Sequence, residues 1–188
     1  MIVLAAPTPE TKRIEILSHR EFVQRAFQNT PRNLIFISNP EYPFIVEHSE
    51  EAVGRVANSL VLLFDDVLAV ERGSNVPEKR HALDAICFAQ GLDELVVSCR
   101  MGVSRSAAIA FAVVAKRSGI AEAFRFLNPE RHSPNDLIIG HIQELLDLPY
   151  LSEAMAAWKK EQQKEFDYYI SEHHAALKRR EDMRKQFA

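Results

Sequence analysis

The segment Cys99-Arg100-Met101-Gly102-Val103-Ser104-Arg105-Ser106 gathers a thiol, two guanidiniums and two hydroxyls in one short run. A thiol attacks only as the thiolate, and an ordinary cysteine is only slightly ionised near neutrality. Two features of the run favour the anion. A helix opening directly after it aims its positive N-terminal end at Cys99, and Arg105 adds a full charge. Gly102 allows the sharp turn that points successive backbone N–H groups inward, a nest suited to phosphate. The backbone from Arg100 through Met101, Gly102, Val103 and Ser104 is therefore the expected phosphate ring. Arg105 closes it with a two-pronged fork onto phosphate oxygens. Ser106 supplies a hydroxyl that can hydrogen-bond the thiolate or the departing sulfur.

Such a loop needs a rigid seat. Leu95, Val96 and Val97 form an apolar strand over 95–98 that ends at the cysteine, and an alanine-rich helix over 105–117 stops before Gly119. Three more dense apolar runs read as strands: RIEILS (13–18), NLIFIS (33–38) and SLVLLF (59–64). Helical spacing appears over 19–29 through Phe22, Ala26 and Phe27, over 77–91 and over 120–131, with a helix or turn over 49–58. A last helix is expected over 133–148, with Ser133 as its N-cap and Pro134 at its first position. Cys87, the other cysteine, falls on the 77–91 helix and reads as a small buried residue, with a redox partnership to Cys99 as the lesser alternative. Continuous apolar strands alternating with helices predict an α/β fold: a central, mainly parallel sheet covered by helices on both faces. Ligands of such sheets sit at the carboxyl ends of the strands. Cys99 and the Asp65-Asp66 pair both fall at such ends.

The run from strand to small-residue helix, with its Cys-x5-Arg-Ser core, resembles the protein tyrosine phosphatase superfamily, in particular its compact dual-specificity-like and bacterial branch. The resemblance covers about residues 13–148. It implies phosphomonoester hydrolysis through a cysteinyl-phosphate on Cys99, with no cofactor and no metal. It also implies a general acid on the loop after the preceding strand. Asp65 and Asp66 are the candidates there, and strand alignment favours Asp66. Such a carboxyl protonates the leaving oxygen and later deprotonates the hydrolytic water. The Pro134-Asn135 pair resembles the family's brace for the phosphate loop, which makes Asn135 a support residue. The chain departs from the family at Ser98, where a histidine usually precedes the cysteine. Serine carries no charge, so a catalytically weak or binding-only protein of the same fold is the competing reading. A rhodanese-type sulfurtransferase fits less well, because of Asp65-Asp66 and the Arg-Ser ending. A low-molecular-weight phosphatase or arsenate reductase carries its loop near the N-terminus, with the acid downstream.

With 47% apolar residues and a net charge of −3, the chain has material for one core, and nothing in its charge points to nucleic acid or membrane. The expected partners are phosphorylated proteins, through phosphotyrosine or phosphoserine/threonine, or other phosphomonoesters such as a phosphoinositide or an RNA 5′ end. The first residues lack the pattern of a signal peptide, and two cysteines suit a reducing compartment, so a cytoplasmic protein is expected. Residues 1–150 are expected to form the catalytic domain. Residues 151–188 are expected to form a charged helical extension, with an apolar stripe through Met155, Trp158, Phe166, Tyr169/Ile170 and Leu177. That stripe would dock on its own domain or pair two copies, giving a monomer or a homodimer. His173 and His174 diverge around a helix and make a poor metal chelate.

Overall fold

Two strands, Asn33–Ser38 and Leu95–Cys99, are buried at every position. That pattern belongs to interior strands of a parallel sheet covered on both faces. The computed structural model describes residues 14–67 and 73–161. Its sheet holds β1 (Ile14–Ser18), β2 (Asn33–Ser38), β3 (Asn58–Leu63) and β4 (Leu95–Cys99) in the order β1-β4-β2-β3, every pair parallel. β1 and β3 lie at the edges and are less covered: β1 buries Ile14 and Ile16, and β3 buries only Leu62.

The helices are α1 (His19–Gln28), α2 (Ser49–Gly54), α3 (Lys79–Phe88), α4 (Arg105–Ser118), α5 (Ile120–Phe126) and α6 (Asp136–Leu146). Side chains alternate across a strand, so the two faces of the sheet have different partners. Leu34, Phe36 and Val96 pack with Phe22 and Ala26 of α1 and with Ala52 and Val53 of α2. α4 packs on β4 and β1 from the other face and touches α3, α5 and α6. It is buried from Arg105 to Ala115, which is why its sequence is apolar or small all round rather than striped.

Several expectations need correction. The 133–148 helix begins at Asp136, and its N-cap is Asn135, whose side-chain oxygen accepts from the N–H of Ile138 at 3.2 Å. Ser133 instead gives its backbone N–H to Val103 O at 3.0 Å, so Ser133 and Pro134 run outside the helix. Cys87 is exposed rather than buried, because α3 turns Ala82, Ala85 and Ile86 inward. Phe27 is also exposed, about 100° round α1 from Ala26, and carries the Arg55 guanidinium 4.3 Å above its ring. The helix or turn expected over 49–58 is a helix to Gly54 and a turn at Arg55, and Asn58 already starts β3.

The described residues up to Ser152 form one compact unit. Of the unit beyond it, the described residues 153–161 are helical. Phe166, Tyr169, Ile170, His173, His174 and Leu177 lie outside the described residues. No helix among the described residues is long and apolar enough to cross a membrane.

Candidate active site

Three chain segments leave the sheet at the same end: β2 at Ser38-Asn39, β3 at Leu63-Phe64 and β4 at Cys99. Cys99 is the last residue of β4 and is buried at 2% exposure. Its Sγ lies 3.0 Å from Oγ of Ser106, the second residue of α4. The loop between them makes its bend at Gly102, with φ at +70°. Glycine is required there twice over, by this backbone angle and by the space. A Cβ would lie 2.6 Å from Ser18 N and 2.8 Å from Leu17 C.

Arg105 opens α4 and is 3% exposed, so its orientation is fixed by neighbours rather than by water. One terminal nitrogen, Nη1, donates to Phe64 O at 2.8 Å and to Asn39 Oδ1 at 3.2 Å. Its Nε is buried with no hydrogen-bond partner among the described residues, and lies 3.7 Å from Asp66 Oδ2. A guanidinium with one end anchored and the Nε edge left over is poised to grip an oxyanion.

The two aspartates do different things. Asp65 is used up by structure: Oδ1 accepts from Asn39 Nδ2 at 2.6 Å, and Oδ2 accepts from the N–H of Asn75 at 2.8 Å. Asp66 turns to the loop. Its Oδ1 accepts from Ser104 Oγ at 2.7 Å and from Asn135 Nδ2 at 3.0 Å. Asn135, 1% exposed, also donates to Val67 O at 2.9 Å, and its own N–H reaches Ser104 O at 3.4 Å. Asn135 thus caps α6 and holds the Asp66 segment through its side chain, and meets the Cys99–Ser106 loop through its backbone.

Cys99, Arg105, Ser106, Ser104, Asp66 and Asn135 are therefore brought to one place. Arg100 and Met101 are exposed on the outer side of the loop. There they line a groove of about 930 Å³ with Arg20, Ile45, Val46 and Arg131. Arg131 pairs with Glu21. Glu21 also closes a capping box with Ser18, so the groove has a fixed floor. His132, beside it, accepts the N–H of Asn128 at Nδ1, and burial holds its pKa down at about 4. Sequence reasoning missed Asn39, which bridges Arg105 and Asp65. The available signal was its position at the carboxyl end of β2, the same edge of the sheet as the other residues.

No protein-family model and no curated protein matches the sequence. Among solved structures, the chain is similar to PTPMT1 in complex with PI(5)P, with a TM-score of 0.50 and 16% identity over 76% of this chain and 90% of that one. The chain has the tyrosine-phosphatase fold. Other structures similar to it are a human tyrosine phosphatase-like serine/threonine/tyrosine-interacting protein (TM-score 0.48, 19% identity, 67% of this chain and 83% of that one) and Tk-PTP in its active form (0.46, 17%, 75% and 92%). In the tyrosine-phosphatase fold adopted here, the parallel sheet presents Cys99, Arg105 and Asp66 from two loops at its carboxyl edge.

Proposed function

We propose that the protein is a cysteine-dependent phosphatase that hydrolyses phosphomonoesters, with phosphotyrosine as the preferred group. The observation that carries this reading is the Arg105 side chain. It is buried and anchored at Nη1, and its Nε edge is left unbonded beside Asp66, in the same loop as Cys99. A phosphoryl group held on that edge would sit above the thiol. Cys99 Sγ attacks phosphorus, the P–O ester bond breaks, and Asp66 gives its proton to the leaving oxygen. Ser106 then hydrogen-bonds the departing sulfur while Asp66 takes a proton from the water that cleaves the cysteinyl-phosphate. The groove lined by Arg100 and Met101 would hold the rest of the substrate.

Turnover of p-nitrophenyl phosphate tests the reading. Cys99→Ser and Arg105→Met should each lose at least about a thousandfold in kcat/KM, and Asp66→Asn about a hundredfold in kcat. Turnover that survives Cys99→Ser would overturn it. A panel of phosphotyrosyl and phosphoseryl peptides, phosphoinositides and RNA 5′ ends then ranks substrates. Preference for a non-protein substrate would replace the phosphotyrosine assignment and keep the chemistry.

A further inference from the structure

His19 is the first residue of α1, yet it is 0% exposed and belongs to none of the chemistry above. Its place in the sheet is unusual. Ser18, the residue before it, is the last of β1 and pairs with Cys99. On the other side of β4, Ile37 of β2 also pairs with Cys99, and both ladders end at that residue. The imidazole Nε2 lies 3.0 Å from Ile37 O. β1 and β2 are not neighbours, because β4 runs between them. Two strand spacings separate them, roughly 10 Å. A hydrogen bond from the end of β1 to the end of β2 must therefore cross the end of β4, where the chain leaves the sheet to become the phosphate loop. The ring is stacked on Phe36 at 4.0 Å and 12°, and Phe36 pairs with Ser98. The strap thus lies on the face toward which Ser98 points, opposite the face of Cys99.

We propose that His19 is a positioning residue for the phosphate loop, a strap that ties β1 to β2 across the last residue of β4 and fixes where the Cys99 loop departs. Its chemistry fits the task. A carbonyl only accepts, so Nε2 carries the proton, and Nδ1 is an acceptor buried without a partner among the described residues. Burial first, and the positive Arg105 and Arg100 as well, hold its pKa down at about 4, so the strap is neutral near neutral pH. Phenylalanine would fill the same stacked space without burying an unsatisfied acceptor. What histidine adds is the N–H to Ile37 O.

This inference rests on the phosphatase reading, and the experiment separates the two. His19→Phe keeps the stack and loses the donor. His19→Gln loses the ring but can place an amide N–H near the Nε2 position. With p-nitrophenyl phosphate, His19→Phe should lower kcat about tenfold and raise the orthovanadate inhibition constant by a similar factor, with far-ultraviolet dichroism unchanged. His19→Gln should recover both to within about threefold. In the wild-type protein, orthovanadate should shift the imidazole resonances of labelled His19. Wild-type kinetics in His19→Phe, equal losses in the Phe and Gln variants, or immobile His19 resonances would each overturn the proposal. The resonance measurement decides the matter if neither variant folds. Turnover surviving Cys99→Ser removes the reading beneath it, whereas loss in Cys99→Ser beside normal His19→Phe kinetics overturns the strap alone.

Discussion

Ser104 Oγ donates to Asp66 Oδ1 across 2.7 Å and ties the loop after β3 to the loop after β4. Ser104 stands at the N-cap position of α4, but its hydroxyl makes no capping bond there. The hydroxyl is spent on positioning the carboxylate. Ser104→Ala should therefore lower kcat about tenfold with little change in KM. Across aryl phosphates with different leaving groups, the variant should lose most on the poorest ones, whose departure depends most on the acid. A uniform loss across the series would assign Ser104 to phosphate binding instead.

Asn135 combines capping with bracing, and substitution can separate the two roles. Asn135→Ala removes the α6 cap and should cost about 1 kcal/mol for that alone. Asn135→Asp keeps a capping oxygen. It nonetheless replaces a donor by a carboxylate facing Asp66 Oδ1 and Val67 O, both acceptors. Thermal denaturation should find Asn135→Asp at least as unstable as Asn135→Ala. Wild-type stability in the Asp variant would mean that Asn135 only caps.

Gly102→Ala should be among the most damaging small changes in the chain. The added carbon meets backbone atoms of Leu17 and Ser18 at under 3 Å, and φ is +70°. Backbone cannot step aside as a side-chain tip would, so a loss of roughly 2–4 kcal/mol is expected. Urea unfolding measures it, and p-nitrophenyl phosphate turnover should fall with it.

His19 also makes acid stability predictable. The ring has a folded pKa of about 4 against an ordinary value of 6.5. Between those values the unfolded chain binds a proton that the folded one refuses. Stability is therefore lost as pH falls from 6.5 toward 4, by up to roughly 3 kcal/mol from this group, with no further loss below. His132 adds to the same window, being held at about 4 by burial first and by Arg131. Urea midpoints at pH 7 and pH 4.5 should lie closer together in His19→Phe than in the wild type. Equal gaps would show that His19 does not refuse the proton.

The two central strands were legible because interior parallel strands carry uninterrupted apolar runs, and NLIFIS and LVVSC carry them plainly. The Cys99–Ser106 loop was legible as a unit because its residues are contiguous, and Asp66 and Asn135 come to it through Ser104. What escaped depends on tertiary contact. Ser133 and Asn135 are both good N-caps by composition, and only the packing of Ser133 on Val103 selects the second. Cys87 looks apolar in AICFA, yet a helix with one buried face must expose some of its small residues. Asn39 sits in a stretch whose prolines signal only a break, and His19 in a first turn where histidine carries no message. Each acts through residues distant in sequence, so no local spacing could mark it.

β4 is an interior strand whose partners, β1 and β2, come from the first part of the chain, while Asn135 comes from far beyond it. The loop after Cys99 therefore cannot be fully built as a local unit during synthesis or refolding. Apart from the Cys99–Ser106 contact, the closures that hold it are long-range, which is slow for the chain and strongly cooperative. The same wiring works in reverse. The loop has no private way to melt, so loss of catalytic competence should coincide with unfolding of the whole sheet rather than precede it.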